Sequence, residues 1–377
     1  MVLQFNRPLE MSGLYVIYAN AGAYVEKTGT YGTSHLMEHM VHHLVDCMED
    51  RMHRDGIYMN AFTWCDHVVF MIRGLSSRME KVVPEYISRL TCINGYSGID
   101  EVSTMQFDNE KNTVMNEYND SFSSFKDGNS LNAMRKAYGL YGPIGRADDI
   151  NAFTYEDFRD TYERIFRHPS MVVYVGPRNI SIPEPECSPL PENIERPLVF
   201  DDNRKCVLEP VSNNGRRPID CIGKVPCPVK DSLALDIAID MLTDGLRSPL
   251  YQELREKRGL TYYSCGYQDN FGTVAIPSFW SCTDEAGLNQ VMGIYSDVFS
   301  HLDKYLSKAR YDIVYGSYKA RKEQDDILLY EDYSDIMRDT FGWCGSLCGL
   351  SDITYEGVLE VANNYISLDK IFFFAGK

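Results

Sequence analysis

The sequence predicts an α+β fold of two similar domains, each a mostly antiparallel sheet with helices packed on one face. Three observations support this. The chain has 377 residues, which at roughly 150 residues per domain suggests two domains. A proline-rich stretch at 182–197 divides it into halves of nearly equal length. Strand-like and helix-like segments follow in a similar order in both halves, although no residue-level repeat is strong enough to prove duplication.

The stretch 182–197 is predicted to be a semi-rigid linker, because proline blocks helices and central strands and favours an extended chain. Its prolines are Pro183, Pro185, Pro189, Pro191 and Pro197. We therefore expect one domain at 1–181 and a second domain of similar fold at 198–377.

Periodicity in the first half predicts the following elements. Strands are expected at 13–20, 58–73 and 170–175, and helices at 33–52, 78–93, 99–122, 129–138 and 154–166. Thr33 or Ser34 is the expected N-cap of the helix over 33–52, since a hydroxyl can accept a backbone N–H at that position.

The second half has the same overall order. Strands are expected at 217–225, 260–268, 272–282 and 370–374, and helices at 231–246, 249–258, 286–302, 305–325 and 355–365. Each half thus begins and ends with a strand and places its helices between them, which is typical of a sheet covered on one face by helices.

Composition excludes several classes of protein. Hydrophobic residues make up 44% of the chain and charged residues 24%, which is ordinary for a globular protein. The net charge of 37 − 54 = −17 argues against nucleic acid as a partner, because phosphate binding needs clustered basic residues. No apolar run approaches the ~20 residues that span a bilayer. The N-terminus resembles neither a signal nor a transit peptide, so we expect a cytoplasmic protein without membrane contact.

The 11 cysteines are scattered, and in a cytoplasmic protein we expect free thiols. Cys344 and Cys348 form the closest pair, and no second pair of ligands nearby completes a metal site.

The strongest motif is His35-Leu36-Met37-Glu38-His39, within the first predicted helix. Residues i and i+4 share a helical face, so His35 and His39 can bind one metal ion. Glu38 lies close to that face and can take a proton from a water molecule at the metal. The alternative interpretation of this motif is a polar helix face with two solvated histidines.

Two histidines alone make a poor zinc site, because a catalytic zinc takes three protein ligands and a water. Glu110 and Glu117 are two helical turns apart in the predicted helix over 99–122 and share a face. One of them can be the third ligand, and the other can orient a ligand through a hydrogen bond. A solvated helix face is the alternative for this pair.

Together these residues resemble the inverzincin metallopeptidases, the family of pitrilysin, insulin-degrading enzyme and mitochondrial processing peptidase. The family pattern is H-x-x-E-H, a zinc-ligand Glu nearly 80 residues later, and another Glu seven residues before that ligand. His39 and Glu117 are 78 positions apart here. The resemblance implies that His35, His39 and Glu117 bind one Zn²⁺ per chain, that Glu38 is the general base, and that Glu110 supports the ligands.

Asn60-Ala61-Phe62-Thr63 resembles the family's Asn-Ala-x-Thr strand. In the family this is an edge strand, and the resemblance implies that a peptide substrate pairs with the backbone of Asn60, Ala61 and Phe62. Residues 21–26, which end in Glu26, also resemble the family's segment before its zinc helix. A plain hairpin strand is the alternative at 60–63.

Residues 246–262 resemble the family's most recognisable C-terminal segment. The resemblance gives Arg255 and Tyr262 the positions of an Arg and a Tyr that reach the active site. Both side chains are hydrogen-bond donors suited to a substrate carbonyl or an oxyanion. An exposed Arg and a packed Tyr are the alternative.

The resemblance implies a zinc endopeptidase that hydrolyses unfolded peptides or oligopeptides in an enclosed chamber. In long family members the Arg and Tyr come from the half opposite the zinc. We therefore expect a homodimer whose active site is completed in trans by Arg255 and Tyr262. The alternatives are a dedicated maturation protease that cuts one partner protein, and a non-catalytic scaffold subunit of a peptidase-like heteromer.

Four further residues near the motif are expected to be peripheral. His42 and His43 are not part of the family pattern, although His43 lies i+4 from His39. Cys47 and Cys65 are expected to be packing residues rather than ligands.

Overall fold

The structure is a computed structural model. It describes residues 1–7, 10–123, 137–139, 141–190, 198, 200, 216–271, 274–328 and 349–375. The chain forms two compact units, the first made of Met1–Asn119, Tyr141–Ile194 and Asp325–Tyr333, and the second of Asp120–Leu140, Glu195–Gln324 and Ser334–Lys377. Each unit has a five-stranded sheet and its own apolar core, so the predicted α+β class is confirmed.

The sheet of the first unit contains β1 Val2–Asn6, β2 Met11–Tyr18, β3 Tyr58–Thr63, β4 Val68–Leu75 and β5 Met171–Gly176. Their spatial order is β1-β5-β2-β4-β3, and every pairing is antiparallel except that of β1 with β5. Strand β3 therefore lies at an edge of the sheet. The sequence did not predict β1, because its five residues are too few and too mixed in polarity to show a strand pattern.

The helices of the first unit are α1 Thr33–His42, α2 Glu49–Arg54, α3 Ser76–Met79, α4 Val83–Leu90, α5 Thr104–Ser123, α6 Ala147–Ala152 and α7 Tyr155–Thr161. Alternate residues of the sheet enter the same core as these helices, among them Leu14, Val16, Tyr18, Val68, Phe70 and Ile72. Leu36, Met37 and Met40 bring α1 into this core. The opposite side of α1 is left for the polar side chains of the motif.

The prediction of a single helix over 33–52 is wrong, because α1 ends at His42. Beyond it the hydrogen bonds run from residue i to i−3, as from Leu44 N to Val41 O (3.1 Å) and from Val45 N to His42 O (3.0 Å). Apolar residues three positions apart fit these tighter turns as well as an α-helix, so the pattern did not reveal the break.

The prediction of one strand over 58–73 is also wrong. Strands β3 and β4 form a hairpin, whose turn is closed by a hydrogen bond from Trp64 N to His67 O (2.8 Å). The residues from Trp64 to His67 contain no glycine or proline, so the sequence carries no strong turn signal at this point.

Helix α1 is capped by a distant carboxylate instead of the predicted Thr33 or Ser34 hydroxyl. Gly32 is the N-cap residue, and its φ of 95° favours glycine. The Glu26 carboxylate accepts hydrogen bonds from the N–H groups of Gly32 and Ser34, each at 2.7 Å. A buried acid thus satisfies N–H groups that the first turn of a helix leaves unpaired.

The contribution of Glu26 to the stability of the chain is expected to fall as the pH rises from about 4.5 to 7. Burial raises the pKa of Glu26 from 4.5 to about 7, although the hydrogen bonds from Gly32 and Ser34 act to lower it. Between these values Glu26 holds a proton in the folded chain that it has lost in the unfolded chain, so its contribution to the free energy of unfolding drops by about 3 kcal/mol across this pH range. Thermal unfolding of wild type and Glu26→Gln across this pH range tests the expectation. The difference between their midpoints should change with pH, and a constant difference would contradict it.

The sheet of the second unit contains β6 Arg216–Gly223, β7 Cys227–Pro228, β8 Ser264–Phe271, β9 Val274–Asp284 and β10 Ile371–Ala375, all in antiparallel pairs. Strand β9 pairs with β8 on one side and with β6 and then β7 on the other. The helices are α8 Val229–Thr243, α9 Pro249–Tyr251, α10 Leu288–Ser300, α11 Leu302–Tyr305, α12 Lys308–Leu328 and α13 Tyr355–Tyr365.

Four features of the sequence prediction fall wholly or partly outside the described residues. They are most of the helix over 129–138, the linker residues 191–197, the first two residues of the strand over 272–282, and the pair Cys344 and Cys348. Within the described part of the chain, no helix is both long and apolar enough to cross a membrane.

Candidate metal centre

Helices α1 and α5 bring His35, His39 and Glu117 together. The two imidazole rings lie on one face of α1, with centroids 4.8 Å apart and planes at 85°. Glu117 Oε2 lies 3.5 Å from His35 Nε2 and 3.8 Å from His39 Nε2. One potential ligand atom from each residue lies within 4.8 Å of the others. The spacing of the residues along two helices is thus converted into one compact group.

This group fits a zinc ion. Two ligands bound at 2.0–2.1 Å to a tetrahedral ion lie about 3.3 Å apart, close to the observed separations from Glu117. Burial, and then the proximity of His39, lowers the pKa of His35 to about 4. His35 is therefore neutral at neutral pH, as a metal ligand must be. Two imidazoles and one carboxylate form the donor set of a catalytic zinc site with a fourth position open for water.

Glu110 contacts the Nδ1 atom of the His39 ring. Its Oε2 lies 3.1 Å from His39 Nδ1. A carboxylate accepts hydrogen bonds, so Nδ1 donates to Glu110, and Nε2 is the ring nitrogen left for a metal ion. Nδ1 of His35, by contrast, is buried without a hydrogen-bond partner among the described residues. The orientation of His39 is thus fixed by a polar contact, and that of His35 by packing.

Glu38 lies beside the group and contacts the edge strand β3. Thr63 Oγ1 donates a hydrogen bond of 2.6 Å to Glu38 Oε2. Burial raises the pKa of Glu38, while the Thr63 hydrogen bond and the nearby His39 act to lower it. A carboxylate of raised pKa is suited to accept and return a proton. The contact of Thr63 with Glu38 was not predicted from the sequence, because it joins residues 25 positions apart.

Asn60, Ala61 and Phe62 occupy the middle of β3, whose backbone pairs with β4 on one side. Phe62 is 37% exposed, whereas Ala61 packs against the core. The strand ends at Thr63, in contact with Glu38. A peptide added along this edge would therefore run towards the candidate metal centre.

Arg255 and Tyr262 lie in the second unit and contact each other. Arg255 Nη1 donates to the Tyr262 carbonyl oxygen at 3.3 Å, and its guanidinium stacks over the rings of Tyr262 and Tyr251 at 4.7 and 5.1 Å. Tyr262 is 73% exposed. Both residues line a cavity of about 340 Å³ within this unit. Their predicted role in catalysis stays a prediction.

His43 is not peripheral, which corrects the expectation from the sequence. Its Nε2 lies 3.1 Å from Glu110 Oε1, and its Nδ1 lies 2.5 Å from Asp46 Oδ2. The i+4 spacing from His39 was a usable signal, but the partner Glu110 lies 67 positions away. Cys47 is exposed and Cys65 is half-buried, and neither forms a disulfide bond among the described residues.

Comparison with known proteins agrees with this architecture. Residues 181–308 match the family described as peptidase M16 inactive domain. No curated protein matches the chain by sequence. A protease from Helicobacter pylori has a similar structure, with a TM-score of 0.79 and 18% identity over 100% of this chain and 96% of that one.

Two further solved structures share the fold. One is a peptidase M16 inactive domain from Pseudomonas fluorescens, with a TM-score of 0.72, 15% identity, and coverage of 100% of this chain and 94% of that one. The other is the periplasmic protease PqqL from Escherichia coli, with a TM-score of 0.65 and 14% identity, where the whole chain matches 46% of the longer protein. Residues 181–308 are thus similar to the peptidase M16 inactive-domain family, and the whole chain has the two-domain fold of M16-like structures.

Proposed function

We propose that this chain is a zinc-dependent endopeptidase that hydrolyses unfolded peptides or oligopeptides. The observation that carries the proposal is the group formed by His35, His39 and Glu117, with Glu38 beside it. Two imidazoles and a carboxylate at tetrahedral separations suit Zn²⁺. The edge strand β3 supplies a route for a peptide backbone whatever its side chains, which fits a broad substrate range.

The residues of the chain divide the chemistry between them. Zinc bound at His35, His39 and Glu117 would make water more acidic and polarise the scissile carbonyl. Glu38 takes the proton from the attacking water and returns it to the leaving amine. Thr63 holds the Glu38 carboxylate, and Glu110 holds the His39 ring.

Metal content and peptide hydrolysis, measured on the same sample, test the proposal. We expect about one zinc per chain, and cleavage of a quenched fluorescent peptide of about 20 residues. Removal of zinc by a chelator should abolish cleavage, and added zinc should restore it. Glu117→Gln should lose both zinc and activity. A chain that binds no zinc would refute the metallopeptidase.

A non-catalytic subunit is the second candidate, favoured by the match to an inactive-domain family. That match covers 181–308, whereas the proposed zinc ligands lie between His35 and Glu117. The family description therefore applies to the second half of the chain. A chain that neither binds zinc nor cleaves peptides would favour this candidate.

A dedicated maturation protease has the same residues and differs only in its substrate. A panel of unrelated unstructured peptides separates the two enzymes. Cleavage of many peptides favours the oligopeptidase, and zinc binding with cleavage of none favours the dedicated enzyme.

A further inference from the structure

A hydrogen-bonded series of histidine and carboxylate side chains begins at His39 of the candidate metal centre. Glu110 accepts from two rings, with Oε2 3.1 Å from His39 Nδ1 and Oε1 3.1 Å from His43 Nε2. Asp46 lies beyond His43, with Oδ2 2.5 Å from His43 Nδ1 and Oδ1 3.3 Å from His42 Nδ1. The resemblance to inverzincins gives no role to His42, His43 or Asp46.

His43 has a carboxylate oxygen at each of its ring nitrogens. Carboxylates only accept hydrogen bonds, so the ring donates from both nitrogens and carries a positive charge. The hydrogen bond with Asp46 is the main cause that raises the pKa of His43, and the charge of Glu110 acts in the same direction. Both contacts are therefore charge-assisted and stronger than neutral hydrogen bonds.

The geometry leaves Glu110 little freedom. His39 lies in α1 and His43 directly follows that helix, so one carboxylate on α5 is held by donors one helical turn apart. The side chains of His39, Glu110 and His43 are only 20%, 22% and 18% exposed. Water competes weakly for such hydrogen bonds, which makes the contacts more effective than they would be on an open surface.

We propose that His43 is a positioning residue, which fixes Glu110 so that Glu110 in turn holds the His39 ring for zinc, while Asp46 anchors His43. This inference rests on the proposed zinc site. Without His43, Glu110 Oε1 loses its charged donor and the carboxylate can rotate away from His39 Nδ1. The ring of His39 would then be free to turn or to change tautomer, so zinc would bind more weakly.

Zinc affinity, measured by competition with a chelating dye, tests the role of His43 without any assay of activity. His43→Leu should weaken zinc binding about tenfold. This is the lower end of the loss of affinity expected when a residue that supports a metal ligand is removed, because His43 acts through Glu110. His43→Gln should bind zinc nearly as wild type does, since its amide can donate to Glu110. His43→Asn is too short to reach Glu110 and should behave like His43→Leu. The exposed His53 on α2 provides the matched control, and His53→Leu should leave affinity unchanged.

A double-mutant cycle tests whether the effect passes through Glu110. If it does, His43→Leu should cost nothing further in a Glu110→Gln chain, because coupled residues are not additive. Equal losses in both backgrounds would overturn the proposal, as would wild-type affinity in His43→Leu. Should His43→Leu fail to fold, the comparison of His43→Asn with His43→Gln decides, and equal affinities there would overturn the proposal.

The outcome also separates this inference from the proposed function. Wild type that binds zinc and cleaves peptides, together with an unaffected His43→Leu, overturns the positioning role alone. Wild type that binds no zinc overturns both.

Discussion

Replacement of Glu38 by Gln is expected to reduce peptide hydrolysis by about 10²–10⁴-fold, the usual contribution of a general base, while zinc content stays at the wild-type level. Gln has nearly the same shape as Glu but cannot take a proton from water. Its amide oxygen can still accept the hydrogen bond that Thr63 donates to Glu38 Oε2. The substitution therefore removes the proposed chemistry and keeps the local packing.

The retention of zinc follows from the geometry of the group. Its candidate ligand atoms come from His35, His39 and Glu117, and Glu38 is not among them. Loss of zinc in Glu38→Gln would show that Glu38 is a ligand and would require another base. Hydrolysis within a few-fold of wild type, with zinc present, would likewise exclude Glu38 as the base.

Glu117→Gln is the matched comparison for this experiment. It makes the same chemical change on a residue within the proposed ligand set, so it should lower zinc content and hydrolysis together. The contrast between the two variants distinguishes a base from a ligand by metal analysis. Circular dichroism on each variant checks that the fold is preserved.

The sequence predicted which side chains meet at the candidate metal centre, because helical periodicity converts spacing into geometry. His35 and His39, four positions apart, face one another, and Glu117, far along the chain, meets both. Glu110, two turns before Glu117, reaches His39. The order and class of most helices and strands followed from the same periodicity.

The contacts that the sequence did not predict are those made by tertiary packing. Thr63 reaches Glu38 because β3 is the edge strand beside α1, and Glu26 caps α1 across a loop. Neither contact has a periodic signature. The end of α1 at His42 was missed because apolar residues three apart suit either type of helical turn. The contact between His43 and Glu110, which lies on α5, likewise could not be predicted from the spacing of the residues.

Two inactive variants of this chain, one altered in the first unit and the other in the second, are expected to recover activity when they are combined. The proposed zinc ligands lie in the first unit, and Arg255 and Tyr262 lie in the second. By resemblance, long family members place the Arg and Tyr opposite the zinc. We propose that two copies of this chain form a homodimer, in which each chain supplies Arg255 and Tyr262 to the active site of the other.

Arg255→Ala alone should lower hydrolysis by about 10²–10³-fold, the usual cost of losing one donor to an oxyanion. The fold should tolerate the change, because among the described residues the hydrogen-bond and ring contacts of the Arg255 side chain are made with Tyr251 and the exposed Tyr262. Zinc content should not change. Near-normal activity of Arg255→Ala would show that Arg255 takes no part in the reaction, either in its own chain or in the other chain of a dimer.

Co-expression of Glu38→Gln with Arg255→Ala then distinguishes the two arrangements. In a mixed dimer, the Arg255→Ala chain supplies an intact zinc site and the Glu38→Gln chain supplies an intact Arg255. Half of randomly formed dimers are mixed and each has one complete site of two, so about a quarter of wild-type activity should return. Glu38→Gln co-expressed with Glu117→Gln is the control, because no zinc site is intact in any pairing. Activity no higher than that of Arg255→Ala alone would mean that each chain uses its own Arg255, or that the chain does not dimerise.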